Sequence, residues 1–173
     1  MSDLDLLLES FRRNGRVNEV LLGSLTPEDY GWTDGHGGWS VGRHLRHMAG
    51  FRVGWLWNIA RDHAAPLVNP DELDADGDPL WRWQNSPDHE LGAAFTAGDA
   101  AAVQAVRAHL HSGEPFADPW KEGAYRSSPA HFLQHTIVHD SHHRGQIMAL
   151  LRMNGSSKER MDALEHHWAI WRE

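Results

Sequence analysis

Residues Ser128–Gly155, SPAHFLQHTIVHDSHHRGQIMALLRMNG, decide the fold class of this chain. Ser128-Pro129 is a helix-start signal, because proline at the first helical position lacks only an N–H that would have no helical partner anyway. Asn154-Gly155 is the matching stop. The roughly 25 residues between them contain no proline and fit one long helix. At ~100° per residue, Phe132, Thr136, His139, His143, Gln146, Ile147 and Leu150 fall within about 60° of one line. One face therefore carries the apolar anchors and two histidines one turn apart. His135 lies on the flank of that face, His142 further round and His131 on the outer side.

The same grammar repeats upstream. A first helix spans about Asp3 to Gly23, capped by Ser2 or Asp3, with Leu4, Leu7, Leu8 and Phe11 on one face and Val17, Leu21 and Leu22 extending it. A second opens at Ser40 and runs to about His63, with Val41, Leu45, Met48, Trp55 and Ile59 as its stripe. A third starts at Ser86-Pro87 and stops at Gly113, with Leu91, Phe95, Val103, Val106 and Leu110 inward and Gly98 weakening its middle. Ser156-Ser157-Lys158-Glu159 has the capping-box form and opens a short terminal helix with Met161, Leu164, Trp168 and Trp171 on one side. No stretch shows strand alternation. The expectation is an all-α, four-helix bundle with a short extra C-terminal helix, one domain over residues 1–173. The connection Ala64–Ser86 is long enough to travel the length of a bundle, which lets the second and third helices run parallel, in an up-down-down-up topology.

Composition narrows the function. A net charge of −8 argues against direct nucleic-acid binding, which draws its affinity from Lys and Arg on phosphates. No apolar run approaches the ~20 residues of a membrane span. The first ten residues, MSDLDLLLES, carry acids and no basic region, so the expected location is the cytoplasm. With no cysteine there is no disulfide, thiolate ligand or thiol nucleophile, and a metal site must use His, Asp or Glu. The nine tryptophans read as core and interface residues first and pocket walls second.

His139 and His143, spaced i, i+4 on an inward face, can share one metal ion or form a buried hydrogen-bonded pair, and the first reading needs a third ligand from another helix. The second helix offers His44, inside its apolar arc, and His47, at the edge of it. Periodicity favours His44 slightly and leaves both open, as it does the flanking His135. Asp140, Gln146 and Thr136 lie near enough to accept a ligand's other ring N–H. Asp140 itself reads as a solvated helix charge, and Arg144 as a helix-end or interface ion pair.

Two segments resemble motifs of the DinB/YfiT-like family. Trp39–Gly50, WSVGRHLRHMAG, is similar to the first, with a histidine eight residues after the tryptophan. His139–Gly155, HDSHHRGQIMALLRMNG, is similar to the second, a His-x-x-x-His pair before an Arg-Gly-Gln run. The resemblance implies an up-down-down-up bundle and metal ligands at His47, His139 and His143. It also implies a metal-dependent enzyme, an S-transferase using a low-molecular-weight thiol or a small-molecule hydrolase, with a stress or DNA-damage setting and a homodimer. A histidine at position 139, where mycothiol-dependent relatives carry glutamate, points toward the bacillithiol-like or other branches. Three imidazoles suit Zn2+ or Ni2+, then Fe2+ or Mn2+. No nucleophile or acid–base residue stands out beyond that set. The alternatives are a non-catalytic metal- or ligand-binding stress-response bundle, and a structural dimer with the histidines as core polar groups.

Overall fold

A computed structural model describes residues 2–173. Six helices, α1 (Asp3–Ser24), α2 (Val41–Ile59), α3 (Arg61–Ala64), α4 (Leu91–Ser112), α5 (His131–Met153) and α6 (Lys158–His166), account for most of the chain. Single 3-10 turns sit at Asp29–Gly31, Ala65–Leu67 and Asp88–Glu90, and a longer 3-10 stretch at His167–Arg172 ends the chain. The starts of α1, α2 and α6 carry serine caps. Ser2, Ser40 and Ser157 each accept a backbone N–H three residues on, and the Asp5 carboxylate in turn accepts the Ser2 N–H at 2.9 Å.

The long helices α1, α2, α4 and α5 pack on one another, α2 against both α4 and α5, and α1 against the same two. Their apolar stripes meet in two clusters. One gathers Phe11, Val53, Leu56, Ile59, Ala102, Val106, Phe132 and Leu133. The other gathers Leu21, Val41, Leu45, Leu91, Phe95, Ile147, Leu151 and Leu164. Between the two clusters the helices bring polar side chains inward.

The structure departs from the sequence expectation in the connections. The second helix ends at Ile59, four residues short of His63, because Ala60 leaves the helical region (φ −152°, ψ 60°) and the Ile59 carbonyl accepts the Ala117 N–H at 3.0 Å. The stretch Ala64–Ser86 contains a two-stranded antiparallel hairpin, β1 (Val68–Leu73) and β2 (Pro79–Trp81), the only sheet among the described residues. Val68 pairs with Trp81 and Asn69 with Leu80, after which an irregularity carries the pairing to Leu73 and Pro79. Two prolines and that irregularity erase the period-two pattern that would announce a strand. At the third helix Pro87 is extended, a 3-10 turn intervenes, and α4 begins only at Leu91. Leu110, expected to face inward, is exposed; of the residues expected on one side of the terminal helix, Met161 and Leu164 are buried and Trp168 and Trp171 are exposed, with Ile170 buried beside them.

Candidate metal centre

Ligand nitrogens of His47, His139 and His143 lie within 4.8 Å of one another, the one such group of metal-ligating side chains among the described residues. Helix α5 supplies two of them one turn apart, and α2 supplies the third where the helices pack. His143 is buried, His139 half-buried and His47 exposed, so the group runs from the interior to the surface. Phe51 stacks on the His139 ring at 3.8 Å between centroids, and Trp39 meets His47 edge-on at 5.0 Å.

Hydrogen bonds fix which nitrogens carry lone pairs. The Gln146 side-chain oxygen can only accept, and it lies 3.0 Å from His143 Nδ1, which therefore carries the proton. That leaves His143 Nε2 free. His139 Nδ1 is buried without a hydrogen-bond partner and faces Asp140 Oδ1 at 3.8 Å, a carboxylate that favours the proton on that nitrogen. His139 Nε2 is then bare, and it stands 3.1 Å from His47 Nε2. Two nitrogen lone pairs at this distance repel unless a cation or a proton lies between them. Two imidazoles on one Zn2+, each at about 2.0–2.1 Å, would hold their nitrogens roughly 3.3 Å apart. The donor set fits a divalent metal.

Electrostatics agree. Burial, then the neighbouring imidazoles, hold His143 well below its ordinary value, at about 4. Burial lowers His47 and His44 as well, helped by His139 and Arg43 for His47, and by His47, His142 and Arg43 for His44. Neutral imidazole is the metal-binding form.

The structure sorts the remaining histidines. His44 is buried but stands behind the group, its Nδ1 3.0 Å from His143 Nδ1. His135 is exposed and pairs with the Tyr125 hydroxyl at 2.7 Å. His36, His131, His142, His166 and His167 are exposed. Of the three expected acceptors, Gln146 serves His143, Asp140 faces His139, and the Thr136 hydroxyl donates instead to the Phe132 carbonyl.

Asp140 corrects the sequence reading most sharply. It is fully buried, not solvated, and ties α5 to α1 and α2, with α4 reached through Arg52. Arg52 of α2 grips it with two bonds of 3.0 and 2.6 Å, and Asn14 and Asn18 of α1 donate to the same carboxylate at 2.7 and 2.8 Å. Arg52 also donates to Asp99 of α4 at 2.5 Å and to the Met48 carbonyl. Arg144, likewise buried, donates to the side-chain oxygens of Asn14 and Asn18. Burial, the largest single influence, would push the Asp140 carboxyl up, but the Arg52 charge and the hydrogen bonds to the carboxylate together outweigh it and hold the group below the usual carboxylate range. Gly98 makes room for this ion pair, since a Cβ there would lie 3.0 Å from Arg52 Cδ. The signal in the sequence is Asn14 and Asn18, one turn apart among the apolar residues Phe11, Val17 and Leu21. A pair of amides inside a core stripe needs buried partners.

A cleft of about 710 Å3 opens beside His47, walled by Trp39, Phe51, Trp55, Trp57 and Trp81. A smaller one, about 430 Å3, lies across Trp39 and reaches His44 and His143. Trp39 is thus a partition between two openings and not a core residue. No helix among the described residues is long and apolar enough to cross a membrane.

Among protein families, the model of the DinB family matches the chain over residues 1–173. No curated protein and no solved structure matches it.

Proposed function

This chain belongs to the DinB family, and on that premise we propose that His47, His139 and His143 hold a catalytic divalent ion, Zn2+ or Ni2+ ahead of Fe2+ or Mn2+, for a transferase or hydrolase acting on a small molecule in the adjoining cleft. The observation that carries this reading is the exposure of His47 at the edge of the aromatic cleft. A storage or purely structural site would be closed on all sides, and this set has three protein donors with the substrate space at its rim.

When bound, the ion supplies Lewis acidity to an oxygen or sulfur presented from the cleft. The chain does the rest. Gln146 and Asp140 keep the protons of His143 and His139 on Nδ1 and so keep both Nε2 atoms available. Phe51 and Trp39 restrict the His139 and His47 rings and keep water from their flanks. A low-molecular-weight thiol as cosubstrate, a stress-response setting, a homodimer and a cytoplasmic location rest on the family resemblance and the charge pattern alone. We read the architecture as one domain, an up-down-down-up bundle. Early α1, late α2, late α4 and early α5 share one apolar cluster, and the opposite ends share the other.

Metal analysis of untagged protein tests the proposal. Wild type is expected to carry close to one equivalent of divalent metal and His143→Ala to lose most of it. Equal, near-zero metal in both would sink the reading.

A further inference from the structure

Two arginines of α2 line the cleft beside His47. Arg46 is committed: it donates to the carbonyls of Trp83, Gln84 and Ser86 and to Asp88 at 2.7 Å. Arg43, one turn before His47, is not. It donates its backbone N–H to Ser40, and among the described residues its guanidinium has no hydrogen-bond or ion-pair partner. That guanidinium lies over the Trp39 ring, Cζ 4.6 Å from the centroid. An arginine held over an indole face keeps its N–H edge free, and the planar fork matches the two oxygens of a carboxylate, sulfonate or phosphate.

The walls of the cleft include the flat aromatic side chains of Phe51, Trp55 and Trp81. Two acids, Asp74 and Asp78, also line the cleft; they accept neutral N–H groups and keep their charge. Asp78 accepts the Trp57 indole N–H at 3.1 Å, and Asp74 accepts the backbone N–H groups of Asp76 and Asp78. The chain as a whole carries a net charge of −8, which repels anions at long range. An anionic ligand therefore needs a local cation, and Arg43 is the uncommitted one.

We infer that the cleft takes a small molecule with a flat aromatic body and a single anionic group. Arg43 anchors the anion above Trp39, and the body lies along Phe51 and Trp55. The inference names the substrate class for the metal centre proposed above and rests on that reading only for which end of the molecule reacts.

Equilibrium dialysis with two probes separates these points. 2-Naphthoate carries the anion, and 2-naphthol offers the same body uncharged at pH 7. Wild type is expected to bind naphthoate more tightly than naphthol. Arg43→Gln should weaken naphthoate roughly tenfold, as expected for one lost charge-assisted contact, and leave naphthol unchanged. Arg43→Lys should keep part of the naphthoate preference. Unchanged naphthol binding also reports that the cleft of the variant is intact. The inference is overturned if Arg43→Gln binds naphthoate like wild type, if naphthol suffers the same loss, or if wild type binds neither probe. Repeating the titration on metal-free protein distinguishes the two readings: the Arg43 contrast survives there even where His143→Ala shows that no metal is held.

Discussion

Asp140 shows how one side chain serves fold and site together. Its Oδ2 takes donors from Arg52, Asn14 and Asn18, while its Oδ1 faces His139 and takes the second bond from Arg52. Replacing it with asparagine keeps the shape and removes the charge, leaving Arg52 enclosed with Asp99 as its remaining anion. Breaking a buried pair from one side costs about 3–5 kcal/mol. Asp140→Asn should lose stability on that scale in urea unfolding at pH 7, and a change under 1 kcal/mol would show that the pair is idle. The paired histidines His139 and His143 were legible because i, i+4 spacing on an apolar stripe is a geometric signal. Asp140 and Arg144 were not, because reading charge as exposed is right for most helical residues. The stripe of α5 that is actually buried includes Leu133, Asp140, Arg144 and Met148 and so sits slightly round from the line through His139 and Gln146. Periodicity alone leaves His44 and His47 open, since both lie near the packed face of α2; the family resemblance points to His47, and the structure brings that ring to His139 and His143.

Elements show a second division. The long helices follow from their capping residues and 3.6-residue stripes, and their observed ends lie close to the expected ones except where a tertiary bond intervenes or, before α4, where a 3-10 turn takes the first residues. The Ile59 carbonyl taken by Ala117 is such a case, invisible to any local pattern. The β hairpin is another, held by a few pairings and by the Asp74 turn more than by side-chain alternation. At the end of the chain, α6 is tied back by Arg160, which donates to buried Asp29 at 3.0 and 2.5 Å and to the Ser24 carbonyl at 3.0 Å. Asp29 also accepts the Thr26 N–H at 2.6 Å. Burial pushes its carboxyl up, and the Arg160 and Thr26 bonds more than reverse this. Because Arg160 is partly exposed, Asp29→Asn should cost less than a fully enclosed pair, about 1–3 kcal/mol. Hydrogen exchange should quicken in Lys158–Arg172 and stay slow in α2 and α5. Unchanged exchange in α6 would mean that Met161, Leu164 and Ile170 hold it by packing alone.

For the molecule as a whole, histidines that stay neutral when folded set the response to acid. Unfolded imidazoles take up protons near pH 6.5, whereas His143 does so only at about 4, and His44 and His47 are also lowered. Between those values the unfolded chain binds more protons, so stability falls as pH falls, beginning near 6.5. Metal-free protein should melt at progressively lower temperature from pH 7 to pH 5, and His143→Gln should flatten the slope; a flat wild-type profile would show that the imidazoles are not held neutral. The polar centre around Asp140 also has a closed charge count. Arg52 and Arg144 bring two positive charges to it, buried Asp140 and half-buried Asp99 two negative. Any single replacement that changes a charge at these positions leaves an odd one inside, whereas exchanging Arg52 and Asp140 together for apolar residues removes one of each sign. The chain therefore has no easy one-step route from this polar centre to an oily one, and the joint route would strip His139 of the carboxylate beside it. The order in which substitutions can accumulate here is constrained by arithmetic as much as by packing.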